Sequence, residues 1–428
     1  MLDDARALLA DGPTCDACLG RPFADRSFGL TNAERGRALR VAVAMADDEP
    51  FESPDPEACW VCEGLCTRFE EWADRVVDAL EGVEFHTYQV GTRLEPLLEE
   101  NERLFREGAG LDSEAGEPMK RELNREVGKR VGARLDTDVD MDRPDVLAVL
   151  NVARGDVDVQ VNPAFVYGRY RKLARDVPQT EWPCRECGGS GKQFGDDGEE
   201  PCEHCGGTGY MYPTSVEQEI APHVREAMDG ESATFHGAGR EDVDALMLGT
   251  GRPFVVEVKR PRVRDPDVAD LAAAINAASD VVEVEGLRLA THEMVERVKE
   301  LDASKTYRAE VAFDAPVTGE ALADAVEELR GTTVEQRTPN RVAHRRSDLV
   351  RTRTVYDLSA TLEDDTHATV EVRGEGGLYV KELVSGDEGR TEPSLAGLLG
   401  VGAEVTALDV LAVEGEDERF VDEAYVRD

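Results

Sequence analysis

Eight of the nine cysteines in this 428-residue chain fall in Cys-x-x-Cys pairs, and that spacing constrains folding more than any other feature. The pairs are Cys15/Cys18, Cys59/Cys62, Cys184/Cys187 and Cys202/Cys205, with Cys66 left over. Each pair offers two thiolates on one tight turn, half of a tetrahedral zinc site. The last two pairs sit in an internal repeat within residues 181–213, Cys-x-x-Cys-Gly-Gly-Ser-Gly and then Cys-x-x-Cys-Gly-Gly-Thr-Gly. Its glycines permit turns that bring backbone amides close to the thiolates. Cys184, Cys187, Cys202 and Cys205 are therefore expected to hold one structural zinc ion. Cys15, Cys18, Cys59 and Cys62 are expected to hold a second, around a helix that the capping box Thr31-x-x-Glu34 opens and that runs to about Ala46. Cys66 can take the place of Cys62 as a ligand, but reads better as a core residue on a helix from Thr67 to Leu80. The 184–205 set leaves no open coordination position for chemistry.

The balance of 90 acidic to 49 basic residues gives a formal net charge of −41. Taken alone this argues against a nucleic-acid partner, because phosphate binding needs a positive footprint. Only eight of the bases are lysine, and an acid-rich, lysine-poor composition is that of a high-salt cytoplasm. At about 1 M salt the Debye length is only about 3 Å, so diffuse surface acids repel RNA weakly and local arginine clusters decide. The hydrophobic fraction of 41% and the regular periodicity speak against a disordered acidic protein. The start, MLDDARALLADG, has early acids and is not expected to be a signal peptide. No stretch approaches eighteen consecutive apolar residues, so no membrane span is expected, and the cysteines should be reduced or metal-bound in a cytoplasmic protein. No obligate protein partner is evident.

From Thr67 to Thr180 helical and extended patterns alternate. Glu95 to Phe105 and Pro118 to Leu135 read as helices; Val83 to Leu94, Asp145 to Val152 and Asp156 to Val161 read as strands. Two basic clusters stand out: Lys120 to Arg134 on the second helix, and Arg169, Arg171, Lys172 and Arg175 beside Tyr167 and Tyr170. Cations interleaved with aromatics suit RNA through phosphate contacts and stacking. A third run, Gln336 to Arg353, holds six arginines (337, 341, 345, 346, 351 and 353) and one acid. It opposes the bias of the whole chain and is assigned to RNA backbone contact, with His344 alongside; such contacts position RNA without reading its sequence.

Gly237 to Arg264 reads GAGREDVDALMLGTGRPFVVEVKRPRVR, a glycine-flanked loop with Arg240 beside Glu241, Asp242 and Asp244. A guanidinium next to a carboxylate favours the ionised form. A turn at Gly249 to Pro253, a strand from Phe254 to Val258 and a basic run complete the segment. It resembles the Gly-Arg-x-Asp motif of pseudouridine synthases. The longer form GREDVD…MLGTGRPF resembles the archaeal/eukaryotic tRNA pseudouridine synthase family acting on the TΨC arm, as a haloarchaeal member. On that resemblance Asp242 is the catalytic aspartate, with Asp244 the nearest competitor. Lys305-Thr306-Tyr307 matches a Lys-x-Tyr element that lays Tyr307 against the target base. Gly377-Leu-Tyr379-Val-Lys381-Glu-Leu383 matches a third motif, in which a strand ends in a basic and an apolar residue. There Lys381 pairs with Asp242, Leu383 packs on the base, Tyr379 lines the site, and Arg240 helps keep Asp242 ionised.

The resemblance implies an α+β chain whose mixed-sheet catalytic domain (214–428) follows a zinc-containing RNA-binding region. That region comprises an N-terminal zinc segment (1–66), a THUMP-like domain (67–180) and the cysteine-rich insert (181–213). It implies isomerisation of uridine 54, uridine 55 or both in tRNA, with no catalytic cofactor and two structural zinc ions. Two alternatives remain: a non-catalytic THUMP and zinc RNA-binding module, and a DnaJ-like chaperone, suggested by the CxxCxGxG repeats although the chain has no His-Pro-Asp tripeptide.

Overall fold

The computed structural model describes residues 1–195, 198–301, 303–340, 347–415 and 424–427. The chain divides into two compact units. The first comprises Met1–Pro163 with Arg260–Arg264, the second Ala164–Lys259 with Asp265–Asp428. The boundary expected near residue 180 thus falls at 163/164. Its cause is the strand that begins at Ala164, whose partners belong to the larger sheet.

In the first unit, α1 (Leu2–Ala10), α2 (Asp16–Gly20) and α3 (Asn32–Asp47) come first. Thr31 caps α3 in the expected capping box with Glu34. Helices α2 and α3 cross closely, because a Cβ on Gly20 would lie 1.9 Å from the Asn32 carbonyl oxygen and one on Gly36 1.8 Å from that of Asp16. There follow α4 (Phe69–Ala79), β1 (Thr87–Arg93), α5 (Pro96–Gly108), α6 (Met119–Leu135), β2 (Asp138–Val139), β3 (Val146–Asn151) and β4 (Asp156–Val161). The sheet order is β2-β1-β3-β4, with β1 parallel to both β2 and β3 and β4 antiparallel to β3. Alternation places Tyr88 and Val90 of β1 with Val146, Ala148 and Leu150 of β3 in a core shared with Trp72 and Val76 of α4 and Leu123, Val127 and Val131 of α6. Arg264 closes this unit from a distant part of the chain: its guanidinium is buried against Asp145, 3.1 Å away.

The second unit opens with β5 (Ala164–Lys172), continues through a hairpin of β6 (Lys192–Gly195) and β7 (Gly198–Pro201), and then α7 (Val216–Ala227), β8 (Ser232–Gly237), β9 (Met247–Lys259), α8 (Val268–Ala278), β10 (Val282–Ala290), α9 (Glu293–Lys299), β11 (Ala303–Phe313), α10 (Gly319–Leu329), β12 (Thr333–Arg337), β13 (Val350–Leu362), β14 (His367–Gly374), α11 (Val380–Ser385), β15 (Thr391–Glu392), α12 (Leu395–Leu399) and β16 (Ala403–Gly415). Its large sheet runs β10-β5-β9-β16-β11-β14-β13-β12-β15, with β8 also on β9. Every pairing is antiparallel except β9 with β16. The glycine turn expected at 249–253 is instead part of the long strand β9, with Gly249 at φ +55° and Gly251 at φ +69° inside it. Strand β9 keeps β5 on one edge. On the other edge β8 pairs with Ser232↔Lys259 through Gly237↔Phe254, and β16 takes over at Val410↔Met247. The sheet forks between β8 and β16, and residues 238–246 leave through the fork.

Strand β5 opens with the apolar run Ala164 to Gly168 and is buried on both faces. One face joins the core of Val216, Ile220, Leu271 and Ile275, and the other meets Met294, Val295 and Val298. Its basic residues are accordingly occupied within the protein. Lys172 is fully buried, Arg169 donates to the Thr250 and Gly251 carbonyls, Arg171 pairs with Glu283 and Glu285, and Arg175 pairs with Asp409. The RNA contact expected of this cluster gives way to an internal role. On α6 Arg125, Lys129, Arg130 and Arg134 likewise pair with acids of their own unit, and Lys120, Arg121 and Lys129 are its exposed cations. Among the described residues no helix is long and apolar enough to cross a membrane.

Candidate active site and metal centres

The fork in the large sheet builds the site. Of the three acids leaving it, Glu241 is buried, while the Asp242 and Asp244 side chains are 48% and 66% exposed. Both exposed carboxylates face one cation: Lys381 Nζ lies 3.5 Å from Asp242 Oδ2 and 3.6 Å from Asp244 Oδ2. Lys381 and Leu383 stand on the short helix α11, where the third motif implied the end of a strand. Gln336 fixes the start of that helix, its side chain accepting from the Tyr379 N–H and donating to the Tyr379 carbonyl, both at 2.9 Å. The Tyr379 side chain is half-buried, and Leu383 is 1% exposed in the core with Val380 and Val384. Leu383 thus holds the helix down rather than presenting a free apolar face. Arg240 is exposed, and among the described residues the ion pairing of Asp242 is with Lys381 rather than with Arg240.

Lys305 and Tyr307 come from β11, whose antiparallel neighbours are β14 and β16. Burial, and then the charge of Arg252, lowers the Lys305 ammonium to about 8 against the opposing pull of Glu241. Burial raises the half-buried Tyr307 phenol to about 12, with Arg252 opposing and the Asp242 carboxylate adding to the rise.

Beneath the loop lies a polar network that sequence reading missed. Arg252 Nε lies 2.8 Å from Glu241 Oε2, and both side chains are 1% exposed. The Tyr170 hydroxyl donates to the same carboxylate at 2.9 Å, and Lys172 Nζ is 3.8 Å from it. Burial works most strongly against the Arg252 charge, but Glu241, Tyr170 and Tyr307 together outweigh it and raise the guanidinium above its ordinary value. The signal available in sequence was a Tyr-Arg-Lys run on an otherwise apolar strand, which suits a buried polar cluster as well as an RNA surface.

Of the arginines assigned to RNA, Arg341, Arg345 and Arg346, with His344, lie outside the described residues. Arg337 forms an ion pair with Asp348, the one acid of the run, Arg351 donates to Thr338 Oγ1 at 2.9 Å, and Arg353 lies 3.4 Å from Glu375.

Both thiol clusters form. Cys184, Cys187, Cys202 and Cys205 all lie within 4.8 Å of one another, with Sγ–Sγ distances of 3.9 Å for Cys184–Cys202 and for Cys187–Cys205. A tetrahedron with metal–sulfur bonds of about 2.3 Å has edges of about 3.8 Å. In the first unit the mutually close set is Cys15, Cys18, Cys62 and Cys66. Cys15 and Cys62 Sγ are 3.8 Å apart. Cys59 stays 3.6 Å from Cys18 Sγ but outside that set. Cys66, expected as a core residue, stands in a 3₁₀ turn at Leu65–Thr67 rather than on α4, and its sulfur accepts from Arg21 Nη1 at 3.0 Å. The donor sets fit a thiophilic tetrahedral ion in each place.

A family model described as "Pus10, C-terminal" matches residues 165–414, and one described as "Pus10 THUMP domain, archaeal" matches residues 72–151. The chain belongs to the Pus10 family. Curated relatives bear the name tRNA pseudouridine synthase Pus10. One from Halorubrum lacusprofundi is 65% identical over 100% of both chains. One from Methanothrix thermoacetophila is 46% identical over 97% of this chain and 95% of its own, and one from Methanopyrus kandleri 40% identical over 96% and 98%. Pus10 membership makes the chain an enzyme of the tRNA pseudouridine synthase class, with a THUMP domain ahead of the catalytic fold, as the motifs implied. The chaperone and non-catalytic alternatives yield to it.

Proposed function

We propose that this enzyme isomerises uridine 54, uridine 55 or both in the TΨC arm of tRNA, with Asp242 as its catalytic carboxylate. The observation that carries this reading is the convergence on one loop of two cations from separate motifs: Lys381 Nζ lies 3.5 Å from Asp242 Oδ2, and Lys305 Nζ, two residues before Tyr307, lies 3.8 Å from where a Cβ on Gly239 would stand. The reaction exchanges the N1–C1′ bond of uridine for a C5–C1′ bond. C5 gives up a proton and N1 gains one, so no redox partner or nucleotide is consumed. The target base must leave its stack to be reached, at a cost of a few kcal/mol, and Tyr307 supplies a surface for it to stack on. Asp242, its carboxylate 3.5 Å from the Lys381 ammonium, attacks C1′ or takes a ribose proton as the glycosidic bond breaks; both routes need the carboxylate. Tyr379 lines the same place. Arg337, Arg341, Arg345, Arg346, Arg351 and Arg353 hold the tRNA backbone, and Arg240, exposed beside Asp242, adds positive charge. Both thiol clusters hold structural zinc, and the enzyme works in the cytoplasm.

Incubating unmodified tRNA transcript with the protein in molar KCl, followed by pseudouridine mapping, tests this directly. Product is expected in the TΨC arm, and Asp242→Asn is expected to abolish it while leaving zinc content and tRNA affinity close to those of the parent. An active Asp242→Asn protein would move the catalytic role to another residue.

A further inference from the structure

We propose that Glu241 is a positioning residue: its buried carboxylate, gripped by Arg252 and Tyr170, fixes the backbone from which Asp242 reaches the substrate. This rests on Asp242 being the catalytic group. The Glu241 side chain is 1% exposed while that of its neighbour Asp242 is 48% exposed, so anchoring Glu241 fixes the backbone from which Asp242 faces outward. The loop carbonyls on both sides are tied by the same residues that surround Glu241. Arg252 Nη1 donates to the Ala238 carbonyl at 2.8 Å. Gln179 Nε2 donates to the Gly239 carbonyl at 2.8 Å and to the Tyr170 hydroxyl at 2.9 Å. Lys172 Nζ donates to the carbonyls of Asp242 at 3.3 Å and Val243 at 3.0 Å. Arg175 Nη1 donates to that of Asp244 at 2.7 Å.

The network is therefore a cradle under one loop, with Glu241 the buried anion, among the described residues, that faces both Arg252 and Lys172. A buried ion pair is weak grounds for a stabilising role, since apolar replacements often do as well. Its value here is geometric. A displacement of about 1 Å in a reacting group costs on the order of a hundredfold in rate. Arg252 Nε, although close to Glu241, lacks a well-directed hydrogen bond, so the Tyr170 hydroxyl is the directional half of the grip.

The test compares Glu241→Gln, Tyr170→Phe, Gln179→Ala and Asp242→Asn in the full-length protein. The readouts are the single-turnover rate on unmodified tRNA transcript at saturating protein, the tRNA dissociation constant and the melting temperature, all in molar KCl. Glu241→Gln is expected to slow the single-turnover rate about 10- to 100-fold with the dissociation constant changed less than about twofold. Tyr170→Phe keeps the ring packed on Phe235 and Phe254 and is expected to slow it about fivefold with the melting temperature nearly unchanged. A folded Glu241→Gln protein with the parental rate overturns the inference, as does a change confined to tRNA affinity. If Glu241→Gln does not fold, Tyr170→Phe and Gln179→Ala decide: slower turnover at constant affinity in both sustains it, and parental rates in both overturn it. Activity in Asp242→Asn would remove the catalytic reading beneath it. An inactive Asp242→Asn beside a fully active Glu241→Gln removes only the positioning role.

Discussion

The two cysteine clusters hold the same four-thiol arrangement by opposite means. In the 184–205 cluster the geometry is local and twofold. The Gly191 N–H donates to Cys187 Sγ and the Gly209 N–H to Cys205 Sγ, each at 3.2 Å. The two turns also cross-bond, Cys184 N–H to the Gly209 carbonyl and Cys202 N–H to that of Gly191, each at 2.8 Å. In the first unit the thiols come from separate stretches and lie within the hydrophobic core itself. There one backbone amide, Cys18 N–H to Cys15 Sγ at 3.4 Å, is joined by a buried side chain: Arg21 donates to Cys18 Sγ at 3.1 Å and to Cys66 Sγ at 3.0 Å, while facing Glu122 at 3.1 Å and Glu102 at 3.3 Å. One cluster is a clip that organises its own loop. The other is part of a core and needs that core to exist.

The largest effect expected from this contrast is on the choice of ligand. Cys66→Ser should lower zinc content from two ions to one per chain and destabilise the first unit by several kcal/mol, since structural zinc contributes folding energy outright. Cys59→Ser should retain both ions. Metal analysis and thermal melting check this, and the opposite pattern would restore the Cys59/Cys62 pairing expected from spacing. Arg21→Met comes next. It leaves Glu122 buried without its cation, while Glu102 keeps Arg106 at 3.0 Å; the expected loss is about 3–5 kcal/mol, visible in the first unit's melting, while release of zinc from the 184–205 cluster to a chelator is unaffected.

The same contrast explains what could be read from the chain. Local chemistry was legible: the Thr31/Glu34 capping box, the helices α5 and α6, and the 184–205 repeat, whose ligands, turns and glycines all lie within a short span. Asp242, Tyr307 and Lys381 were singled out because each carries a short motif. What escaped depends on distant partners. Cys66 joins the thiol set through a turn set by tertiary packing, and the 164–172 segment, basic enough to suggest RNA, is a central strand because β9 and β10 flank it. Glu241 carried no local mark separating it from its acidic neighbours. The tyrosine and cations that bury it are 70 residues or so back in the chain and eleven ahead, a distance that periodicity does not see.

The smallest effect expected is also the sharpest check on the local clip. Gly191 and Gly209 have φ of +69° and +83°, and a Cβ on either would lie 2.4 Å from the carbonyl oxygen of a glycine in the other turn, Gly207 or Gly189 respectively. An alanine there carries the left-handed penalty of about 1–2 kcal/mol and must also push the turns apart. Because the arrangement is twofold, Gly191→Ala and Gly209→Ala should accelerate zinc transfer to a chelator to similar extents, with the melting of the first unit unchanged. Unequal effects would mean that one turn carries the site and the other merely completes it. A fall in the first unit's melting temperature would mean that the two clusters do not fold independently, and the contrast between a clip and a core would then fail.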